Sequence, residues 1–306
     1  MGDSTAEGVA PTVRPHARPG AIVYAAMVLQ TLISAGTFLV AKRSLQEIHP
    51  IAALASRFLL SGILFWLILL AVPGRAVPPR RAWKKALILG LLAGPLNQGL
   101  FFWGLSRSTP AHAALFYALT PAAVYLYSLQ RGQERASPRK VAGIAIAFSG
   151  VLVLLLGRGL RAAMGPLVGD LFILGGVAAW AVYTAEGKAF TAEHGAVRAT
   201  AWSLIAASLW ILPAAPFVLL PSQFANASAI ALAGIVYMAV FTSVVSYSLW
   251  YFALSRLDAS RVAVFSNLQP VVAALAAYWL LGEPLNWEMA VGGLLVLLGV
   301  RVTQTS

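Results

Sequence analysis

The 306-residue sequence contains no cysteine, which excludes a disulfide framework and a thiolate metal site. It holds only ten acidic residues, and its four histidines, His16, His49, His112 and His194, are scattered. A metal cluster therefore has no support in the spacing. No H-E-x-x-H, G-x-S-x-G or G-x-x-x-x-G-K-[ST] pattern occurs, so zinc-protease, hydrolase and phosphate-loop chemistry is not expected. An intramembrane enzyme would need clustered acids or histidines, and no cofactor is implied. Charge of either sign is scarce: 10% of residues are charged, against about 25% in a soluble domain. The net charge of +12 would point to nucleic acid in a soluble protein. The interleaved basic and aromatic face that such binding needs is missing. Basic residues also collect in the cytoplasmic loops of membrane proteins. We expect a lipid bilayer as the partner and no nucleic acid.

Apolar surface is what the chain has, at 59% hydrophobic residues and a mean hydropathy of +0.79. A helix needs about 20 residues to cross about 30 Å of hydrocarbon. Ten runs fit: about 21–41, 51–72, 84–106, 109–130, 138–157, 167–189, 198–220, 227–254, 259–281 and 286–304. Pro, Gly or charge marks the breaks, among them Pro50, Pro73-Gly74, Pro138, Gly165-Pro166, Pro221 and Pro284. The runs are too long and too uniformly apolar for the alternation of a transmembrane barrel. Residues 1–20, with Pro11, Pro15 and Pro19, read as a disordered tail and not as a signal peptide.

A 149-residue offset superimposes two stretches of the chain without a gap from 105 to 151. Leu105-Ser106-Arg107 matches Leu254-Ser255-Arg256. Phe116, Leu119 and Pro121 match Phe265, Leu268 and Pro270, and Glu134 matches Glu283. Gly143 and Gly150 match Gly292 and Gly299. Such a repeat governs the reading of the whole fold. Its period spans five runs, an odd number, so the halves should lie inverted in the membrane. Matching loops then differ in charge. The segment 131–140 has four basic residues, whereas 281–289 has two acidic residues and no basic one. With the N-terminus inside, sixteen of the twenty-two Lys and Arg fall on inner segments. The outer six are Lys42, Arg43, Arg57, Arg107, Arg158 and Arg161. The expectation is an all-α integral membrane protein of ten transmembrane helices in two inverted five-helix repeats, 21–157 and 165–304. Both termini are expected in the cytoplasm.

The repeated hairpin carries a specific resemblance. R-L-D-A-S, L-Q-P, L-L-G-E-P and G-G-L-L-V-L-L-G-V, in that order, resemble the second EamA repeat of the drug/metabolite transporter superfamily. His49-Pro50, with Arg57 seven residues beyond the proline, is similar to the start of that family's second helix. The resemblance covers about residues 20–304. It implies inverted five-helix repeats and, for most members, export of small metabolites. Within the superfamily the chain most resembles YddG-type exporters of aromatic and other amino acids. Arg135 and Thr120 depart from the pattern, standing where a proline and a glutamine are expected.

Polar residues inside the spans are costly and tend to face a cavity. The third span holds Asn97, Gln98 and Phe101; the eighth holds Ser246, Tyr247, Trp250 and Tyr251. Asn97 and Phe101, like Ser246 and Trp250, are four apart and share a face. These residues either line a cavity for a zwitterion or pack as aromatic belts, the reading favoured for Trp103, Trp250 and Tyr251. Trp180, Tyr183 and Glu186 share a face of the sixth span. Glu186 either meets an ammonium group or a proton, or pairs with a cation such as Lys188. Asp170 reads as an acid at a helix start. Tyr117 and Asn267 lie near Pro121 and Pro270, which would kink the fourth and ninth spans and act as hinges. Gly90, Gly94, Gly143, Gly150, Gly292 and Gly293 read as close helix packing within the bundle. The sequon Asn226-Ala227-Ser228 reads as accidental.

The function expected is alternating-access export of an aromatic or other apolar amino acid, or a similar small metabolite, by a monomer in the inner membrane. Nucleoside, sugar or drug export, or a channel-like facilitator, is the alternative. The expected site is Asn97, Gln98, Phe101, Tyr117, Trp180, Tyr183, Glu186, Tyr247 and Asn267.

Overall fold

In hydrocarbon every backbone N–H and C=O must bond within the protein, so a uniformly apolar run folds as a helix. The computed structural model describes residues 20–108, 113, 116–157, 167–272, 275 and 287–305. The tail 1–19, His112, Arg158, Arg161, Gly165-Pro166 and the turn with Glu283 and Pro284 lie outside the described residues. Among the described residues all regular structure is helical. Among the described residues, six helices are long and apolar enough to span a membrane: α1 (Ala21–Ser44), α2 (Pro50–Ala71), α3 (Arg80–Arg107), and three later ones. Between the two groups come α4 (Thr120–Gln130) and α5 (Pro138–Gly157). The later three are α6 (Leu167–His194), α7 (Ala196–Val218) and α8 (Ala229–Leu254). Then follow α9 (259–272, starting with Ala259–Ala263) and α10 (Trp287–Gln304).

Local chemistry sets the helix starts. Pro50 occupies the first turn of α2, where its missing N–H is harmless, and the His49 ring accepts from Ile51 N. The Ser228 hydroxyl caps α8 by accepting from Ala231 N. The start of α9 is capped from a distance. Glu134, in the α4–α5 loop, accepts from Ser260 N at 3.0 Å and Ser260 Oγ at 2.5 Å. The last turn and a half of α6 runs past the apolar segment expected to end at 189. Polar residues at this end are held from outside the helix: Lys188, just before it, donates to Leu257 O, and Glu193 pairs with Arg81.

Two helices widen into π geometry at corresponding places. α3 winds as a π-helix over Leu92–Gly99 and α8 over Met238–Ser246. Pro95 lacks the N–H that would continue the α ladder, which accounts for the wider turns in α3. Pro121 and Pro270 do not kink a continuous helix. Each follows a break: turn residues 118–119 precede Pro121 at the start of α4, and the 3-10 turn Val264–Asn267 precedes Pro270. The fixed proline φ suits a helix start better than a helix interior.

The packing is paired. α3 lies against α6 and α7, and α8 lies against α1 and α2. α2 meets α7, α4 meets the start of α9, and α5 meets α10. Small residues permit the closest approaches. A Cβ at Gly90 would sit 2.5 Å from Ala207 N, and one at Gly150 would sit 2.6 Å from Gly292 O. At Gly299 it would meet Ala147 N and Gly143 O, backbone atoms that cannot move aside. Gly299→Ala should therefore loosen α5 from α10 and cost about 1–3 kcal/mol, the usual penalty of overpacking. Gly293→Ala, whose Cβ would meet Val271 Cγ1 at an ordinary 3.7 Å and nothing closer among the described residues, should leave thermal stability in detergent unchanged. Equal melting curves for the two variants would contradict this packing.

Candidate functional site

A cavity of about 60 Å³ opens between the helices. Its wall is drawn from α1, α3 and the segment before α4 and from α6, α8 and α9. α1 gives Gln30, Ser34, Thr37 and Phe38, a single face at helical spacing. Gln98 and Phe101 come from α3, Tyr117 precedes α4, and Trp180 comes from α6. α8 gives Thr242, Ser246, Tyr247 and Trp250; Ser266 and Gln269 come from α9.

One part of the wall is a seam of hydroxyls and amides between α1 and α8. Gln30 Nε2 donates to Ser34 Oγ at 2.8 Å and to Ser246 Oγ at 3.2 Å. Thr37 and Thr242 share a hydrogen bond of 2.8 Å. Elsewhere the wall is aromatic, in two groups. Phe38, Phe101 and Tyr117 meet edge to face with centroids 5.5–5.8 Å apart. Trp180 packs on Tyr247 at 5.1 Å and on Trp250 at 5.2 Å. These distances suit favourable ring pairs. Among the described residues, the Tyr247 hydroxyl, Gln30 Oε1 and Gln269 Oε1 find no hydrogen-bond partner. A site built to recognise a polar ligand holds such groups in reserve.

The sequence-selected residues fall into three sets. Gln98, Phe101, Tyr117, Trp180 and Tyr247 line the cavity. Trp250, read from sequence as packing, lines it too. Asn97 and Tyr183 stand one layer behind. Asn97 Nδ2 donates to the Tyr117 hydroxyl at 2.9 Å and to Gly176 O at 2.8 Å. Tyr183 backs Trp180 and Tyr247, with Tyr251 stacked behind it at 5.2 Å. Asn267 is fully buried beside Ser266, and neither amide atom finds a partner among the described residues. Glu186 is tied elsewhere. It accepts from Lys85, from the Tyr127 hydroxyl at 2.8 Å and from Arg131 Nε at 3.3 Å. Its cations are thus Lys85 and Arg131, while Lys188 turns to Leu257 O and Asp258.

Arg57 corrects the charge tally taken from sequence. Counted there with the outer segments, it lies inside α2 and is 0% exposed. Its Nε donates to Ser243 Oγ at 2.9 Å and its Nη1 to Gln98 Oε1 at 2.5 Å. Gln98 donates on to Asn97. A signal was there to read: Arg57 stands eight residues into an unbroken apolar run, where no loop can be. The polar residues of α1 carried no comparable signal, because isolated Gln, Ser and Thr are common in packed helices.

Ion pairs bind the two halves of the chain at the end where α3 and α5 start. Lys140 pairs with Glu134 at 2.6 Å and with Asp258 at 3.1 Å; Lys188 and Arg261 also face Asp258. Burial alone would raise the Asp258 carboxyl, but Lys140, Lys188 and Arg261 hold it below its ordinary 3.8. A depressed carboxyl stabilises the fold above its unfolded value, and that contribution vanishes as pH falls through the folded value. Asp258→Asn should therefore melt earlier than wild type at pH 6, with the gap closing below about pH 4. A gap that does not narrow as the pH falls below about 4 would contradict the role given to this carboxylate.

Comparison with known proteins places this geometry. The profile of the EamA-like transporter family matches residues 21–156 and again residues 167–305. The chain belongs to the EamA-like transporter family. An uncharacterized transporter of Archaeoglobus fulgidus is 30% identical over 282 residues, covering 90% of this chain and 95% of the relative. The Bacillus subtilis uncharacterized transporter YyaM is 26% identical, covering 91% and 92%. YedA of Escherichia coli, named an uncharacterized inner membrane transporter, is also 26% identical, covering 92% and 90%. A crystal structure at 23% identity superimposes with a TM-score of 0.70 over 92% of this chain and 95% of its own, and so shares the fold. This EamA protein is a membrane transporter of the drug/metabolite transporter superfamily.

Proposed function

We propose that this transporter exports small amphipathic metabolites, foremost amino acids with aromatic or apolar side chains, by alternating access. The carrying observation is the cavity, whose wall joins a hydroxyl and amide seam to two aromatic groups. A zwitterion finds hydrogen-bond partners on the seam, and its apolar side chain finds rings. No carboxylate is among the wall residues described, so an ammonium group would meet the faces of Trp180, Tyr247 and Trp250.

In this reading the chain forms ten transmembrane helices in two inverted repeats, 21–157 and 165–304, with both termini cytoplasmic. The two separate family matches support it, as do the paired contacts of α3 and α8 and the π-helical stretches at matching places. Moving Arg57 into the membrane leaves sixteen basic residues inside against five outside, which strengthens the assigned orientation. Each repeat contributes its first, third and fourth helices to the cavity, as expected of a site at a repeat interface. Rocking of one repeat on the other, with the breaks before Pro121 and Pro270 as hinges, would expose the cavity to each side in turn.

The test is uptake of labelled phenylalanine into proteoliposomes preloaded with unlabelled phenylalanine. Saturable counterflow is expected. Trp180→Ala should weaken apparent affinity about tenfold, close to 1.4 kcal/mol, with normal folding. Flux that never saturates would make the protein a channel. Absence of flux with folded, inserted protein would remove amino acids from the substrate class and turn the search to nucleosides, sugars or drugs.

A further inference from the structure

Arg57 presents an electrostatic problem that packing does not solve. An arginine remains charged in any protein environment. This one is fully buried in a membrane-spanning helix. Among the described residues, no carboxylate forms an ion pair with it. Its neighbours are neutral: Ser243 on Nε, Gln98 on Nη1, and the rings of Phe58 and Phe102 at 5.3 and 5.7 Å. Nη2 has no partner. A charge taken out of water without a counter-ion is strongly destabilising, and such residues inside a membrane mark function.

The side chain it holds most tightly lines the cavity. Arg57 binds the carbonyl oxygen of the Gln98 amide, which leaves the Gln98 NH2 group as the donating end. One of its hydrogens goes to Asn97 Oδ1, and the second remains for the cavity. Asn97 in turn donates to the Tyr117 hydroxyl, whose proton is thereby free to point at a ligand. The relay thus runs in one direction, from a fixed cation to donors at the wall. Donors backed by a positive charge in a low dielectric favour an anionic acceptor.

We propose that Arg57, acting through Gln98, makes the cavity selective for a carboxylate group on the substrate. Arg57 is a positioning residue here, and Gln98 with Tyr117 makes the contact. The substrate supplies the missing negative charge on binding and leaves with it, so the buried cation is compensated only when the carrier is loaded. This inference rests on the amino-acid reading for the identity of the substrate, but its chemistry is separable.

The experiment measures binding of four aromatic probes to purified full-length protein by ligand-induced thermal shift and competition: phenylalanine, phenylalanine amide, hydrocinnamate and phenethylamine. Wild type should bind phenylalanine at least tenfold tighter than the amide, and hydrocinnamate tighter than phenethylamine. Arg57→Gln should reduce both ratios to near one. Gln98→Glu should do the same by giving Arg57 an internal counter-ion, and it remains informative if Arg57→Gln does not fold. A purely structural role would lower stability without moving the ratios. Equal binding of phenylalanine and its amide by wild type would overturn the carboxylate role and leave amino-acid transport standing. Binding of hydrocinnamate without phenylalanine would do the reverse. A preference that survives both substitutions overturns the role of Arg57, and binding of none of the four by folded protein overturns both readings.

Discussion

A polar side chain in hydrocarbon must find its partners inside the protein, and the centre of this transporter is arranged around that demand. Arg57 gathers four helices to satisfy it. Its own α2 is joined to α8 through Ser243 and to α3 through Gln98; Asn97 then extends the connection to Tyr117 ahead of α4 and to the Gly176 carbonyl of α6. The α1–α8 seam of Gln30, Ser34, Thr37, Thr242 and Ser246 repeats the principle with neutral groups. Where these two networks leave donors and acceptors unmatched, the cavity lies.

Much of the architecture was legible because lipid enforces simple rules. Uniform apolar runs had to be helices, and the segments between Pro, Gly and charge located the six long spans to within about five residues. The matched glycines of the two halves identified a backbone-close contact, and Gly143, Gly150, Gly292 and Gly299 do bring α5 against α10. Part of the cavity was legible for a similar reason: Gln98, Tyr117, Trp180 and Tyr247 stood out as polar or amphipathic groups inside apolar spans.

What stayed hidden depends on three-dimensional partners. Glu186 looked equally suited to a ligand and to an ion pair, since its cations lie 101 and 55 residues away in sequence, at Lys85 and Arg131. Asn97 and Tyr183 share helices with cavity residues, but part of a turn of rotation sets them in the layer behind. The π-helical windings of α3 and α8 re-aim side chains by an increment that no fixed helical period anticipates. Arg57 was misassigned because charge was counted as a loop property.

The central claim is that one cavity between two halves serves both faces of the membrane in turn. Cross-links at both ends are consistent with a state that must be broken to move: Glu134, Asp258 and Glu186 join the halves at one end, and Ser44 to Ala231 O and Ser228 N to Glu47 join them at the other. The lack of any native cysteine allows a direct test. Ser246→Cys places a single thiol in the cavity wall, and its reaction with a membrane-impermeant reagent can be followed from each side in oriented vesicles. Alternating access predicts reaction from both faces, with saturating phenylalanine shifting the balance between them. Reaction from one face only, whatever substrate is present on either side, would contradict the account.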